Sequence, residues 1–305
     1  MAITLSQLRT FAAVAQAGSV HAAAAQLSVS QPSVSAALSS LRRELGTALV
    51  ERRGRGIALT AAGEAFVPYV RRLLGLLEDG WRAAAEAAEP DAGSLRLAAV
   101  NTAGEYLLPP VIDAFRRLHP GIEVLLEIGN RRSVLQRLES RAVDVAVGGR
   151  PPSDQVIGRK IVPNELVVVA REAPKSLREA TWLMREEGSG TRATAEAYLA
   201  EQGIAPRELL TLGSNGAVKQ ALALGLGVAL VSAHAVAREL AGGTLVRVPA
   251  PGTPLSRPWY SLRPAGPPPR PAVRAFLELL HSPEGREVAL RGLRVGGLSS
   301  GARAE

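Results

Sequence analysis

The first sixty residues carry three short stretches of helical periodicity. Leu5, Leu8, Phe11, Ala12 and Ala15 fall on one face, Gly18 ends that run, and Ser19 is placed to cap the next, VHAAAAQL, which ends near Leu27. In SVSQPSVSAALSSLRRELG, Ser30 is a good N-cap and Pro32 suits a first turn. Val34, Leu38, Leu41 and Leu45 form the apolar stripe of that helix, Ser33, Ser40 and Arg43 the polar face with Ser35 and Ser39 beside it, and Gly46 the stop. A basic hairpin-like segment follows, VERRGRGIALT, with Arg52, Arg53 and Arg55 around Gly54 and Gly56.

From Thr60, a natural cap, one helical pattern runs to residue 89. Phe66, Val70, Leu73, Leu77, Trp81, Ala84 and Ala88 repeat every three or four residues, a seam that needs a second helix and so predicts a homodimer. Pro68 is expected to kink this helix near its start, and residues 90–93 (PDAG) read as a hinge. Beyond Ser94 the pattern becomes strand and helix in alternation, from LRLAAV to the last strand PWYSLRP and the last helix AVRAFLELLH, with a frayed tail after Gly292. That alternation predicts α/β layers with mostly parallel sheets. The most apolar run, ALALGLGVALV, is too short to span a bilayer and reads as a helix end running into a buried strand, so no membrane partner is expected.

A chain of 305 residues with 47% apolar content supports two domains, and 4% aromatics means a core of Leu, Val and Ala. The net charge of +8, carried almost wholly by arginine, favours an acidic partner: nucleic acid, a membrane surface or an anionic metabolite. With no cysteine there are no disulfides and no thiol chemistry, which fits a reducing cytoplasm; MAITLSQLRTF has neither the cationic start nor the apolar core of an export signal.

Two constellations carry chemistry. The first is the front end. A helix-turn-helix sets the first turns of its second helix against base edges, where Gln pairs with adenine, Ser adapts and Pro meets a thymine methyl. Ser30, Gln31, Pro32, Ser33, Ser35 and Ser39 are candidates for that contact with double-stranded DNA, and Arg52, Arg53 and Arg55 for phosphates or the minor groove. A three-helix domain with a solvated polar face is the alternative.

The second constellation is REEGSGTR. A strand leads into glycines and a helix start, whose free N–H groups attract an anion. Gly188 and Gly190 admit close approach, Ser189 and Thr191 add hydroxyls, and Arg192 adds a forked cation. Three more turns of this kind offer Asn101 and Thr102, Arg150, and Ser214, Asn215 and Lys219. Together they predict an effector-binding cleft for a small anionic metabolite, although each alone is also an ordinary cap.

LSQLRTFAAVAQAGSV, AAAQLSVSQPSVSAALSSLRRELG and LVERRGRGIALTAAGEAFVPYVRRLL, in that order and spacing, resemble the LysR-type transcriptional regulators, and the resemblance covers nearly the whole chain. It implies an N-terminal all-α winged helix-turn-helix (1–59), a long linker helix with its hinge (60–93), and an α/β effector domain (94–305). That domain would be two-lobed and periplasmic-binding-protein-like (type 2), with lobe I at 94–163 and 264–293 and lobe II at 164–263. It places Gln31, Pro32, Ser33 and Ser35 on the recognition helix and Arg53 in the wing. His21 departs from the family's usual Thr, Val50 from its Phe, and Ala36 stands where many members carry an Arg that reaches DNA. REEGSGTR, GGRPP and SNGAVKQ look closest to the regulators of carbon-fixation operons, whose effectors are phosphorylated or otherwise anionic. The resemblance further implies a cytoplasmic protein that dimerises through the linker helix and assembles into a homotetramer.

His21, His119, His234 and His281 are scattered, no nucleophile elbow or triad motif occurs, and GSGTR lacks the Lys-Ser/Thr of a P-loop, so neither metal, cofactor nor catalysis is expected. Two rival readings stay open: a solute-binding receptor of a transporter, and an enzyme on an anionic metabolite with Glu105 or Glu187 as its base.

Overall fold

The computed structural model describes residues 3–54, 56–89 and 92–295, and Arg55 lies outside them. Two compact units result: residues 1–84 with the turn 139–142, and the remainder. In the first unit, α1 (Leu5–Ala17), α2 (Val20–Leu27) and α3 (Gln31–Leu45) precede the hairpin of β1 (Val50–Arg53) and β2 (Gly56–Leu59) and the long helix α4 (Ala61–Ala88). The boundaries follow local chemistry. Gly18 and Gly46 take left-handed conformations at the ends of α1 and α3, while Ser19 and Ser30 accept the amides of Ala22 and Ser33. Thr60 Oγ1 accepts the Gly63 amide and donates to the Ala48 carbonyl at 2.6 Å, which fixes where α4 begins. The hairpin is tied to the α1–α2 turn by the Ile57 amide on the Gly18 carbonyl at 3.0 Å.

The expected seam on α4 is divided. Phe66 and Val70 pack with Val67 and Leu74 onto Phe11 and Leu41 of the front-end core, so they serve this chain's own fold. Tyr69, Leu73, Leu76 and Trp81 are the large apolar side chains that α4 leaves exposed.

The second unit holds two sheets. The first contains β3 (Gly93–Val100), β4 (Ile122–Gly129), β5 (Val145–Gly148), β6 (Val156–Lys160) and, far along the chain, β13 (Tyr260–Pro264), in the order β4-β3-β5-β13-β6. Around it lie a π-helical turn (Ala103–Leu107), α5 (Leu108–Leu118), α6 (Arg131–Glu139), α10 (Pro271–His281) and α11 (Pro283–Val295). The second sheet has the order β11-β7-β10-β8-β9: β7 (Glu165–Ala170), β8 (Thr181–Arg185), β9 (Glu208–Leu212), β10 (Val228–Ser232) and β11 (Val246–Arg247), with β12 (Leu255–Ser256) also on β7. Its helices are α7 (Gly190–Glu201), α8 (Asn215–Ala223) and α9 (Ala237–Ala241). Strand alternation fills both sides of each sheet. Leu166, Val168 and Ala170 of β7 pack towards Trp182 and Tyr198, and Val167 and Val169 towards Val218 and Leu222.

Several expectations change. The sheets are mixed rather than mostly parallel: β13 runs antiparallel to β5 and β6, and β7 antiparallel to β10. The chain returns to the first lobe before Tyr260, not at 264, because β13 is a central strand there. Residues 283–295 form a further helix beyond AVRAFLELLH, which was expected to be the last; Gly285 turns its amide to the Ser282 hydroxyl at 2.9 Å as part of that helix's start. VIGRK, which the sequence reading did not assign, is the edge strand β6. Among the described residues no helix is long and apolar enough to cross a membrane.

A buried ionic clasp holds the last turn of α4. Glu86 pairs with Arg270, Arg270 Nη2 lies 2.9 Å from Asp144 Oδ2, and Arg96 Nη2 lies 2.8 Å from Asp144 Oδ1. Two cations and two anions balance, which is what makes a cluster this deeply buried tolerable.

Candidate functional site

On the first unit, α3 turns its first residues to solvent. Ser30, Gln31, Pro32, Ser33, Ser35 and Ser39 are all exposed, while Val34 and Leu41 on the other side are buried. Arg52 and Arg53 are exposed on β1 of the hairpin. Ala36 is exposed and adds no polar group to this face. A polar helix start beside a basic hairpin is the layout that meets base edges with one element and phosphates with the other.

On the second unit, the two lobes meet at a cleft built from the ends of strands. A cavity of about 50 Å³ lies there, room for roughly three to five water molecules. One wall is Val100 at the end of β3 with Asn101 and Thr102 after it, Asn130 and Arg131 after β4, and Gly149 after β5. The opposite wall is Arg185 at the end of β8, Ser189, Gly190 and Thr191 at the start of α7, and Ser232 ending β10. Asn164, Arg257 and Trp259, from the segments that connect the lobes, and Leu166 of β7 complete it.

Arg131 and Arg257 dominate the electrostatics. Arg131 Nη2 donates to the Arg150 carbonyl at 2.8 Å, and Arg257 Nη1 to the Gly190 carbonyl at 2.8 Å. Among the described residues neither has a carboxylate partner. Burial pulls the Arg131 guanidinium below the usual arginine range; burial and then the charge of Arg131 do the same to Arg257. Arginine keeps its proton regardless, so the direction measures how costly the two charges are without a counter-ion. A Cβ on Gly149 would meet Arg257 Nη2 at 3.1 Å and Arg131 Nη1 at 3.2 Å, so glycine is what lets both guanidiniums converge. The buried indole nitrogen of Trp259, in the cavity lining, is a donor with no acceptor among the described residues. Arg185 differs: Glu186 takes its Nε and Nη2 at 2.8 and 3.0 Å, and its Nη1 is bound by Asn215 Oδ1.

The predicted residues divide accordingly. Asn101, Thr102, Ser189, Gly190 and Thr191 line the cavity. Ser189 caps α7, as the sequence suggested, and Gly188 sits in the left-handed region (φ 84°), with its carbonyl accepting the Arg132 amide at 3.1 Å. Asn215 stands behind the wall and joins the lobes, its Nδ2 donating to Thr102 Oγ1 at 3.0 Å. Four others point elsewhere. Arg192 turns along α7 to the Arg185 carbonyl (3.1 Å) and Glu196 (2.7 Å). Arg150 contributes its backbone carbonyl, and Ser214 caps α8 through the Ala217 amide. Lys219 pairs with Glu239 at 2.6 Å. Burial works against that ammonium, but Glu239 and Tyr106 win and hold it above the ordinary lysine value.

Glu105 lies outside the cavity lining, its carboxyl raised by burial against the opposing pull of Arg185, Lys219 and Asn215, and Glu187 is exposed. The sequence reading missed Arg131 and Arg257. For Arg131 a signal existed: IEVLLEIGNRRS is one more strand-to-helix turn, with Asn130 Oδ1 capping the Ser133 amide at 3.0 Å. Arg257 lies in a connector and no local pattern marks it.

Comparison with known proteins covers both units. Residues 5–64 match the model of the bacterial regulatory helix-turn-helix proteins, lysR family, and residues 88–283 that of the LysR substrate binding domain. The RuBisCO operon transcriptional regulator of Acidithiobacillus ferrooxidans is 37% identical over 288 residues, which span 91% of this chain and 93% of the relative. The regulatory domain of CcmR from Synechocystis PCC6803, solved in complex with 2-PG, is 31% identical, covers 62% of this chain and 95% of that one, and superposes with a TM-score of 0.57. Full-length CbnR, solved with its target DNA, is 25% identical over 95% of this chain and 99% of its own, with a TM-score of 0.60.

Proposed function

The chain belongs to the LysR family of transcriptional regulators and matches the regulators of carbon-fixation operons, and from that premise we propose that a small anion in the interlobe cleft sets how the front end engages a promoter. One observation carries this reading: Arg131 and Arg257, half-buried and without carboxylate partners among the described residues, converge on one cavity. A ligand bearing negative charge is the natural counter-ion, and it gains from guanidiniums that have already lost part of their water. The CcmR domain with 2-PG, 2-phosphoglycolate, supports a phosphorylated carboxylate of few atoms. The narrow cavity means the lobes open to admit such a molecule and close on it, so the ligand selects between arrangements and must bind one better than the other.

In this reading Gln31, Pro32 and their serine neighbours meet base edges, and Arg52 and Arg53 meet phosphates. The exposed Tyr69, Leu73, Leu76 and Trp81 of α4 pair with the same helix of a second copy. Dimers associate into a tetramer, each dimer reading half-sites roughly 34 Å apart. The protein works in the cytoplasm, where its operator is, and uses no metal or cofactor. The experiment is calorimetric titration of the full chain with 2-phosphoglycolate and with inorganic phosphate. Binding that disappears in Arg131→Ala and Arg257→Ala but persists in Arg192→Ala is the expected result. Binding that survives loss of both cavity arginines would place the anion elsewhere.

A further inference from the structure

Gln31, the first residue of α3, does not hang free. Its Nε2 lies 3.0 Å from His21 Nδ1, at the start of α2. In this arrangement the amide nitrogen of Gln31 is the donor and the histidine nitrogen the acceptor. A glutamine amide otherwise has two orientations, related by a flip that exchanges oxygen and nitrogen. The contact to His21 holds the side chain in place with Nε2 towards the ring. It uses one Nε2 hydrogen and leaves the second hydrogen and Oε1 for another partner, with their relative placement fixed. One donor beside one acceptor is the pattern that matches the N7 and N6 edge of adenine in the major groove. Ser30 and Ser33, the polar neighbours, are engaged with each other at 2.8 Å, so they do not compete for the Gln31 amide.

We infer that His21 is a positioning residue for sequence readout: it orients the Gln31 amide and thereby sets which base pair of each half-site is preferred. The inference rests on the reading of α3 as the groove helix. Its physical basis is preorganisation, since a side chain held in its bound orientation loses less freedom on binding. His21 acts through Gln31, so its removal should change preference at one position and not affinity at large.

The test is selection of binding sites from a randomised duplex library by the full-length protein, followed by competition binding with each base pair of the selected half-site exchanged in turn. Gln31→Ala identifies the dependent pair. His21→Ala is expected to lower discrimination at that pair about fivefold or more, within the roughly five- to 150-fold that a bidentate contact provides, with the other pairs unchanged. His21→Asn, whose Oδ1 can replace the accepting nitrogen, should restore it, and His21→Ala combined with Gln31→Ala should lose no more than Gln31→Ala alone. Unchanged discrimination in His21→Ala overturns the inference. So does an equal loss at every pair, or a Gln31→Ala variant that alters none, because then there is no reading to position. If the wild-type protein enriches no sequence, the reading of the front end falls as well, a different and recognisable failure.

Discussion

Asn215 at the start of α8 donates to Thr102 Oγ1 on the other lobe at 3.0 Å, and its Oδ1 at the same time accepts from Arg185. One buried amide therefore joins the lobes and fixes a cleft arginine. Asn215→Ala leaves Arg185 Nη1 without its acceptor, while Nε and Nη2 keep Glu186. The expected cost is about 1–3 kcal/mol of stability, read by urea unfolding, with a smaller stabilisation by 2-phosphoglycolate. Full ligand stabilisation in this variant would show that the bridge is incidental.

The two cavity arginines invert the usual relation between a binding residue and stability. Arg257 is half-buried, its charge is repelled by Arg131, and it has no carboxylate partner among the described residues. Arg257→Met removes that cost and retains most of the volume. The ligand-free protein is expected to unfold at the same temperature as wild type or higher, while the shift produced by 2-phosphoglycolate disappears. A clear drop in ligand-free melting temperature would mean that the Arg257–Gly190 bond outweighs the charge. Arg192→Ala, whose side chain leaves the cavity, should retain most of the ligand shift.

His281 gives a dependence on acid. It is buried against Ser261 at 2.8 Å, and burial, followed by the charges of Arg159 and Arg286, lowers its pKa from 6.5 to about 4. The unfolded chain takes up this proton near pH 6.5 and the folded one only near 4. Between those values the unfolded state holds more protons, so stability falls as pH falls, by up to about 3 kcal/mol. Denaturant unfolding from pH 7.5 to 4.5 should show that slope in wild type and a flatter one in His281→Gln. Equal slopes would assign the acid sensitivity to other groups.

The clasp at the end of α4 makes another prediction. Glu86→Ala leaves Arg270 facing only part of its counter-charge, and removal of one partner from a buried pair costs about 3–5 kcal/mol. Glu86→Ala with Arg270→Met should recover part of the loss, as measured by chemical denaturation. An additive loss would mean that the two side chains do not act together.

What the sequence made legible was local. Gly18, Ser19, Ser30, Gly46 and Thr60 mark helix ends by chemistry that acts within a few residues, and the structure puts the ends there. Ser189 and Gly188 declared the α7 turn in the same way. Side-chain direction was not legible. Arg192 follows the anion-like turn immediately, yet lies along α7 towards Glu196, because a helical side chain finds its neighbours three and four residues away. Arg257 reaches the cavity from a connector, through a long-range fold that no periodicity encodes. The strand β6 escaped because most of its residues are exposed at a sheet edge, so burial imposes no strong alternation there.

The most direct test of the central claim follows the full-length protein on a selected operator fragment by footprinting while 2-phosphoglycolate is added. The account predicts that the protected pattern shifts over the concentrations at which calorimetry records binding, and that Arg131→Ala protects the same operator but no longer shifts. An operator footprint identical with and without saturating ligand, from protein that binds the ligand, would contradict it.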